Sequence, residues 1–149
     1  MHPPIEVDQM VTMGAKREQC HLYPGGIDEE VFEKYSSKDP EDFLEEHSIP
    51  DNVKLVTYLG TIEERKNPLA VVKMAKTLRT LEGVHFVIAG YPSDQDRALR
   101  SEAEGLRNLS YVGAISEEEK IQLIRASYIN ILLSRMEALG LTQLEFMYG

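Results

Sequence analysis

The segment INILL at Ile129–Leu133 runs directly into SRMEALGLTQLEFMYG at Ser134–Gly149. The first segment is short and apolar, as a buried strand is, and the second has apolar residues at helical spacing from Gly140 or Leu141 onward. A strand that passes through a glycine-containing turn into a helix predicts a parallel α/β unit. Such a turn also points free backbone N–H groups and the positive helix end at one crevice, where phosphates bind.

The rest of the chain repeats this alternation. Further strands are predicted at Cys20–Tyr23, Lys54–Leu59, Val84–Ala89 and Leu109–Val112. Helices are predicted at Pro40–His47, at Pro68 after the N-cap Asn67, after Ser93, and after the capping box formed by Ser116 and Glu119. The strands are apolar on both faces, so we expect an α/β fold with a Rossmann-like, mostly parallel sheet and helices on both faces. Any ligand should sit at the carboxyl edge, where Gly60, Gly90, Gly113 and Gly140 fall.

A division of the chain into two segments follows from the same pattern. Residues 1–19 are polar and irregular, and we expect a lead-in or the remnant of an interdomain linker. Residues 20–149 form one Rossmann-like domain. Its last helix stops after barely two and a half turns with no closing strand, which indicates a truncated domain that lacks its closing C-terminal elements.

Composition limits the function. The 149 residues are 42% hydrophobic and carry a formal charge of −9, which argues against nucleic acid as a partner. The four histidines have no metal-ligand spacing, so no metal and no cofactor are expected. A single cysteine, Cys20, suits a reducing cytoplasm, and no apolar run is long enough for a transmembrane segment. Membrane association of a full-length parent stays open.

Two glutamates with seven residues between them occur at Glu33/Glu41 and at Glu137/Glu145. In a chain this rich in Glu the bare spacing is expected by chance, and two surface glutamates are the alternative interpretation. Only the second pair has a strand before it and a helix after it, so only that pair is a candidate for holding sugar hydroxyls.

Five segments in order resemble the C-terminal, donor-binding domain of retaining glycosyltransferases of family 4 (group 1), which have the two-Rossmann-domain GT-B architecture. They are YPGGID at Tyr23–Asp28, YLGTIEERKN at Tyr58–Asn67, the strand and glycine at Phe86–Gly90, Leu109–Ile115, and EALGLTQLE at Glu137–Glu145. The last is similar to the family's Glu-x-Phe-Gly-Leu-x-x-x-Glu signature. The resemblance covers about Leu22 to Gly149.

This resemblance implies a role for each matching residue. Lys66 would neutralise the donor diphosphate, Glu137 would bind the transferred sugar and Glu145 the ribose. Gly140, Leu141 and Thr142 would offer backbone N–H groups to the phosphates, with Leu139 beside them. Val112, Gly113 and Ile115 would line the base site, and Gly60, Thr61 and Gly90 the glycine-rich edge. The donor would be a UDP-, GDP- or ADP-linked sugar, and the acceptor would bind an N-terminal domain, so the fragment alone is expected to be inactive.

The chain departs from the family pattern at three positions. Thr61 stands where the family has a diphosphate-binding arginine, Gly25 replaces an asparagine, and Leu139 replaces a phenylalanine. Arg65 is a candidate substitute for the missing arginine. The alternatives are a non-catalytic nucleotide- or partner-binding module and an epimerase-like domain that uses Glu or His groups. A dinucleotide-binding oxidoreductase is disfavoured because no Gly-x-Gly-x-x-Gly follows a strand.

Overall fold

The computed structural model describes residues 5–21, 25–137 and 139–149. In that part of the chain four strands form one parallel sheet in the order β3-β2-β1-β4: β1 Lys54–Leu59, β2 Val84–Ala89, β3 Leu109–Gly113 and β4 Ser127–Asn130. The predicted Rossmann-like α/β sheet is therefore confirmed.

Helices cover both faces of the sheet. The helices of the described residues are α1 Ile5–Thr12, α2 Glu29–Lys34, α3 Pro40–Glu46, α4 Pro68–Thr77, α5 Asp96–Ala103, α6 Glu117–Ala126 and α7 Leu141–Tyr148, with short 3-10 turns at Arg17–Gln19 and Glu64–Lys66. Alternate residues of β2 point to opposite sides. Phe86 and Ile88 pack with α4 and α5, whereas Val87 and Ala89 pack with α3 and α6.

The strand order reverses direction at β1. The chain goes from β1 to β2 and β3 on one side and then returns to β4 on the other side of β1. In open parallel sheets the loops that leave two such neighbouring strands splay apart at their carboxyl ends and leave a crevice. Here that crevice lies between the segment after Leu59 and the segment after Asn130.

The beginning of the chain differs from the prediction. Residues 5–12 form the helix α1, although none of its residues is buried, so this region is not irregular throughout. Cys20 and His21 are not in a strand, and Leu22 and Tyr23 lie outside the described residues. Short apolar runs are ambiguous without a partner strand, and the predicted strand at Cys20–Tyr23 is wrong for its first two residues. No helix in the described ranges is long and apolar enough to cross a membrane.

The fourth strand lies earlier than predicted. Its ladder with β1 runs over Ser127–Asn130, not Ile129–Leu133, and one further backbone bond joins Ile131 N to Thr57 O at 2.9 Å. Ile131 and Leu133 are apolar because they pack against the core on the way out of the sheet. The apolar run therefore marks the end of β4 and the start of the following loop.

The starts of α6 and α7 agree with the sequence prediction, whereas the start of α5 does not. The Glu119 amide donates to Ser116 Oγ at 3.2 Å and the Ser116 amide to Glu119 Oε2 at 2.7 Å, which is the predicted capping box. The final helix begins at Leu141, with Gly140 as its N-cap. In contrast, α5 begins only at Asp96, and Ser93 contributes its carbonyl to the preceding turn.

Candidate functional site

Three of the predicted glycines meet at the carboxyl edge of the sheet. The Gly60 amide donates to Ala89 O at 3.0 Å, and the Gly90 amide donates to Gly113 O at 2.7 Å. Gly90 has φ +150, and a Cβ atom placed there would overlap the Gly60 carbonyl group. The loops after β1 and β2 thus leave the sheet in close contact, and only glycine fits at Gly90.

The segment between β1 and α4 is joined to the segment between β4 and α7 by backbone and side chains. The Arg135 amide donates to Arg65 O at 2.8 Å. Asn67 adopts left-handed backbone angles (φ 57, ψ 46), and its Nδ2 donates to Leu133 O at 3.3 Å. Asn67 therefore precedes α4 as predicted, but its side chain links the two segments instead of capping the helix.

Lys66 and Glu137 form an ion pair between these two segments. Their side chains are only 20% and 24% exposed, so the pair is partly shielded from solvent. Ser134 Oγ donates to the same carboxylate oxygen of Glu137 at 3.2 Å. The two residues predicted to act on the donor diphosphate and its sugar thus lie together at the crevice between β1 and β4.

Arg65 has a different environment from Lys66. Its guanidinium donates to Met136 O at 3.0 Å and to Glu63 Oε1 at 2.6 Å, and the side chain is 47% exposed. These contacts make Arg65 a link between the same two segments. The charge of Arg65 also acts on the Tyr58 hydroxyl, which donates to Thr61 O, and its role as a substitute for the missing arginine stays a prediction.

The backbone at Thr61 is fixed by a hydrogen bond from a side chain of β1. The buried Tyr58 hydroxyl donates to Thr61 O at 2.9 Å. Burial raises the pKa of Tyr58 well above its usual value, so this hydroxyl keeps its proton and remains a donor. The loop that starts at Thr61 therefore has a defined direction as it leaves the sheet.

A cavity of about 210 Å³ opens beside this loop. Its lining combines the ends of β1 and β2 with residues from α6 and α7: Leu59, Gly60, Thr61, Gly90, Tyr91, Ile115, Glu117, Lys120, Thr142 and Glu145. Six of the predicted donor-binding residues lie in this wall: Gly60, Thr61, Gly90, Ile115, Thr142 and Glu145. The structure thus brings residues together that are as much as 85 positions apart in the sequence.

Lys120 is a residue of this wall that the sequence interpretation missed. Its Nζ donates to Glu145 Oε1 at 2.9 Å and to Glu117 Oε2 at 2.8 Å. Burial by itself would lower the pKa of Lys120, but the two carboxylates outweigh burial and raise it. Helical spacing could have identified this residue, because Lys120 lies four residues before the buried Ile124 and therefore on the inward side of α6.

The other predicted donor-binding residues do not line the cavity. Val112 packs in the core with α3 and α6, so the sheet-packing alternative applies to it, whereas Ile115 packs against the same cluster and also lines the cavity. Gly140 has φ +62, and a Cβ atom there would lie 3.3 Å from Leu132 Cδ2. Leu139 and Leu141 are about half exposed, at 51% and 48%.

The final helix is fixed to the sheet through its first turn. Gln143 Nε2 donates to Asn130 Oδ1, and Asn130 Nδ2 donates to Thr57 O at 3.0 Å. The first N–H groups of any α-helix have no intrahelical acceptor. This anchoring therefore sets the direction in which the amides of Leu141 and Thr142 point.

A larger cavity, of about 530 Å³, lies at the opposite, amino edge of the sheet. It is lined by Val84, His85, Asn108 and neighbouring loop residues, and it contains none of the predicted site residues. His85 is buried there, its Nε2 lies 2.9 Å from Ser110 Oγ, and burial lowers its pKa. The histidine that an epimerase-like site would need is therefore far from the carboxyl edge. Within the described residues no three His, Cys, Asp or Glu side chains group as metal ligands.

Comparison with known proteins gives one family and several structural neighbours. The family model described as glycosyl transferases group 1 matches residues 39–148. None of the curated proteins searched matches the chain.

Three solved structures show the same fold. The C-terminal domain of the group 1 glycosyl transferase LpcC from Francisella tularensis has a TM-score of 0.64 at 24% identity, over 82% of this chain and 66% of that one. Anabaena HepE, solved with UDP and glucose, has a TM-score of 0.72 at 16% identity, over 95% and 39%. Sucrose-phosphate synthase of Thermosynechococcus elongatus has a TM-score of 0.62 at 18% identity, over 85% and 32%.

The chain thus spans at most 66% of the length of these three structures. At such low sequence identity the likeness to these structures supports the fold alone. The family model, in contrast, covers most of the sequence, from α3 to α7. The chain therefore belongs to the group 1 family of glycosyl transferases.

Proposed function

We propose that this chain is the donor-binding domain of a retaining glycosyltransferase that moves a sugar, of the hexosyl class, from a nucleoside-diphosphate sugar to an acceptor. The observation that carries the proposal is the ion pair between Lys66 and Glu137, which joins the loops after β1 and β4 at the carboxyl edge of the sheet, the edge at which the cavity also opens. HepE, which has the same fold, was solved with UDP, and that supports a nucleotide as the ligand.

The leaving group of such a transfer is a nucleoside diphosphate, so the reaction needs stabilisation of developing negative charge. Lys66 supplies one positive charge, and the N-terminus of α7 at Gly140 supplies backbone N–H groups. A lysine ammonium has three donors, so Lys66 can remain bonded to Glu137 while it also donates to a phosphate oxygen. We propose that these groups act without a metal ion.

Glu137 and Glu145 divide the recognition of the donor in this proposal. The Glu137 carboxylate, held by Lys66 and Ser134, accepts hydrogen bonds from hydroxyls of the transferred sugar. Glu145 lines the cavity beside Thr142 and accepts hydrogen bonds from the ribose. Hydrogen bonds to charged acceptors are the stronger class, so both contacts favour a hydroxyl-rich ligand.

The acceptor site belongs, in this proposal, to an N-terminal domain of the full-length parent, and the chain by itself does not catalyse transfer. The single cysteine supports a reducing, cytoplasmic setting for the parent. Turnover of any nucleotide sugar by this chain alone would contradict the division of labour between two domains.

The test is a thermal-shift series with UDP, GDP and ADP on the wild-type chain, Lys66→Ala and Lys76→Ala. Lys76 is the matched control because it also forms an ion pair, with Glu102. That pair joins the helices α4 and α5 and does not involve the loops after β1 and β4. We expect one nucleotide to raise the melting temperature of wild type and Lys76→Ala and to leave that of Lys66→Ala unchanged. A wild-type chain that responds to none of the three is the result expected of a partner-binding module, and it would overturn the donor-domain proposal.

A further inference from the structure

We propose that Lys120 positions the Glu145 carboxylate to accept hydrogen bonds from the ribose, and that it thereby makes the site selective for ribonucleotides. The proposal rests on the proposed function of the chain as a donor-binding domain. Lys120 acts through Glu145, so it is a positioning residue and does not itself touch the ribose.

The contact joins two helices inside the wall of the cavity. Lys120 belongs to α6 and Glu145 to α7, and their Nζ and Oε1 atoms are 2.9 Å apart. The two side chains are 19% and 21% exposed, whereas Glu117, the second partner of Lys120, is 59% exposed. Of the two ion pairs that Lys120 forms, the pair with Glu145 is therefore the one that is better shielded from solvent.

Only one oxygen of Glu145 is used in this contact. Among residues 5–21, 25–137 and 139–149, no group donates a hydrogen bond to Glu145 Oε2. An ionised carboxylate offers acceptor sites on both oxygens. The ion pair thus fixes the side chain by Oε1 and leaves Oε2 as an acceptor for a hydrogen bond from a hydroxyl, on a residue that lines the cavity.

Without Lys120 the carboxylate would lose this orientation. A partly buried carboxylate that has lost its cation gains by rotating toward water, and a glutamate has several rotamers with which to do so. An acceptor that leaves its place no longer distinguishes a ligand that has the hydroxyl from one that lacks it. Its raised pKa keeps Lys120 protonated, so the clamp persists through the neutral range.

The two helices do not depend on this pair to stay together. Phe146 of α7 packs against the cluster formed by Phe32, Ile121 and Ile124. Lys120→Met keeps most of the side-chain stem and removes the ammonium, so the domain is expected to fold while Glu145 is released.

The experiment measures dissociation constants by titration calorimetry for UDP, 2′-deoxy-UDP and 3′-deoxy-UDP, with the GDP and ADP series in parallel. The proteins are wild type, Lys120→Met, Lys120→Arg, Glu145→Gln and the control Lys76→Met. Wild type should bind the ribonucleotide about tenfold to a hundredfold more tightly than the analogue that lacks the recognised hydroxyl. The ratio should fall toward one in Lys120→Met and Glu145→Gln and remain in Lys120→Arg and Lys76→Met.

The ratio is decisive because loss of one positive charge weakens both ligands alike. If Lys120→Met binds both ligands more weakly but keeps the ratio, Lys120 only adds charge and the positioning role is wrong. If Glu145→Gln keeps the ratio while Lys66→Ala abolishes binding, the ribose is recognised by other residues: this inference and the role of Glu145 are wrong, whereas donor binding by the domain stands. If wild type binds no nucleotide, the proposed function and this inference are both overturned.

Discussion

The ammonium of Lys66 and the carboxylate of Glu137 meet across 71 residues of sequence, one from the turn after β1 and the other from the turn after β4. Because both turns leave neighbouring strands at the same edge, the pair lies at the crevice between these strands. It links the two loops together with the hydrogen bonds from the Arg135 amide to Arg65 O and from Asn67 Nδ2 to Leu133 O.

A double-mutant cycle on this pair measures that link. We expect Lys66→Met and Glu137→Gln to show a coupling free energy of about 0.5–1 kcal/mol, because the pair is partly shielded but still reached by water. Urea unfolding of the single and double variants gives the value. The more exposed Lys76–Glu102 pair provides the comparison and should couple less. Equal coupling in the two pairs would contradict a special role for the crevice pair.

Gly90→Ala tests the close approach of the first two strand ends. The added methyl group would overlap the Gly60 carbonyl group, and the backbone at φ +150 disfavours any side chain. We expect a loss of at least about 2 kcal/mol of unfolding free energy, measured by urea titration. Gly26→Ala is the control, because nothing lies within 4 Å of the added atom. A loss of similar size in both variants would show that steric overlap is not the cause.

Glu119 should contribute to stability in a pH-dependent way. Burial alone would raise its pKa, but hydrogen bonds from Ser116 and His47 outweigh burial and lower the pKa below its ordinary value of 4.5. The folded state therefore favours the ionised form. The contribution is complete above pH 4.5 and is lost as the pH falls below it. Urea midpoints of wild type and Glu119→Gln between pH 7 and pH 3 should converge toward acid, and parallel curves would refute this.

His85 should make the free energy of unfolding depend on pH over a higher pH range than Glu119 does. Burial lowers its pKa from the ordinary value of 6.5, so the unfolded chain takes up a proton before the folded chain does. Stability should therefore fall as the pH is lowered through 6.5. His85→Gln retains a group that can bond to Ser110 and removes the titration, so its unfolding free energy should change less between pH 7.5 and pH 5.5. An unchanged slope in the variant would assign that pH dependence to other groups.

The sequence predicted the centre of the fold better than its edges. The bounds of β1 and β2 are those expected, because both strands are apolar on both faces and end at glycine. The predicted fourth strand lay too late in the sequence because Ile131 and Leu133 are partly buried against the core after the ladder has ended. The helix α1 was not predicted because it buries none of its residues, so its sequence has no need of a hydrophobic stripe at helical spacing.

The site was predictable where a residue type is required by the backbone or by charge. Gly60, Gly90 and Glu145 lie in the cavity wall. Their common location could be predicted because the ends of strands and the starts of helices can be recognised in the sequence. Lys120 was not predicted, since its role depends on α6 and α7 lying side by side. Arg65 shows the same limit: its charge was evident, but its engagement with Met136 O and Glu63 follows from loop geometry.

Gly25 and Leu139, two of the positions at which the chain departs from the pattern that it resembles, are neighbours in space. A Cβ atom at Gly25 would occupy the place of Leu139 Cδ2 and would lie 3.4 Å from Leu141 Cδ2. The side chain of Leu139 thus fills the space that any residue larger than glycine would need at position 25. Gly25→Asn alone is therefore expected to force Leu139, whose side chain is about half exposed, into another rotamer, so the residue at position 25 limits the side-chain conformations open to its neighbour in the other loop.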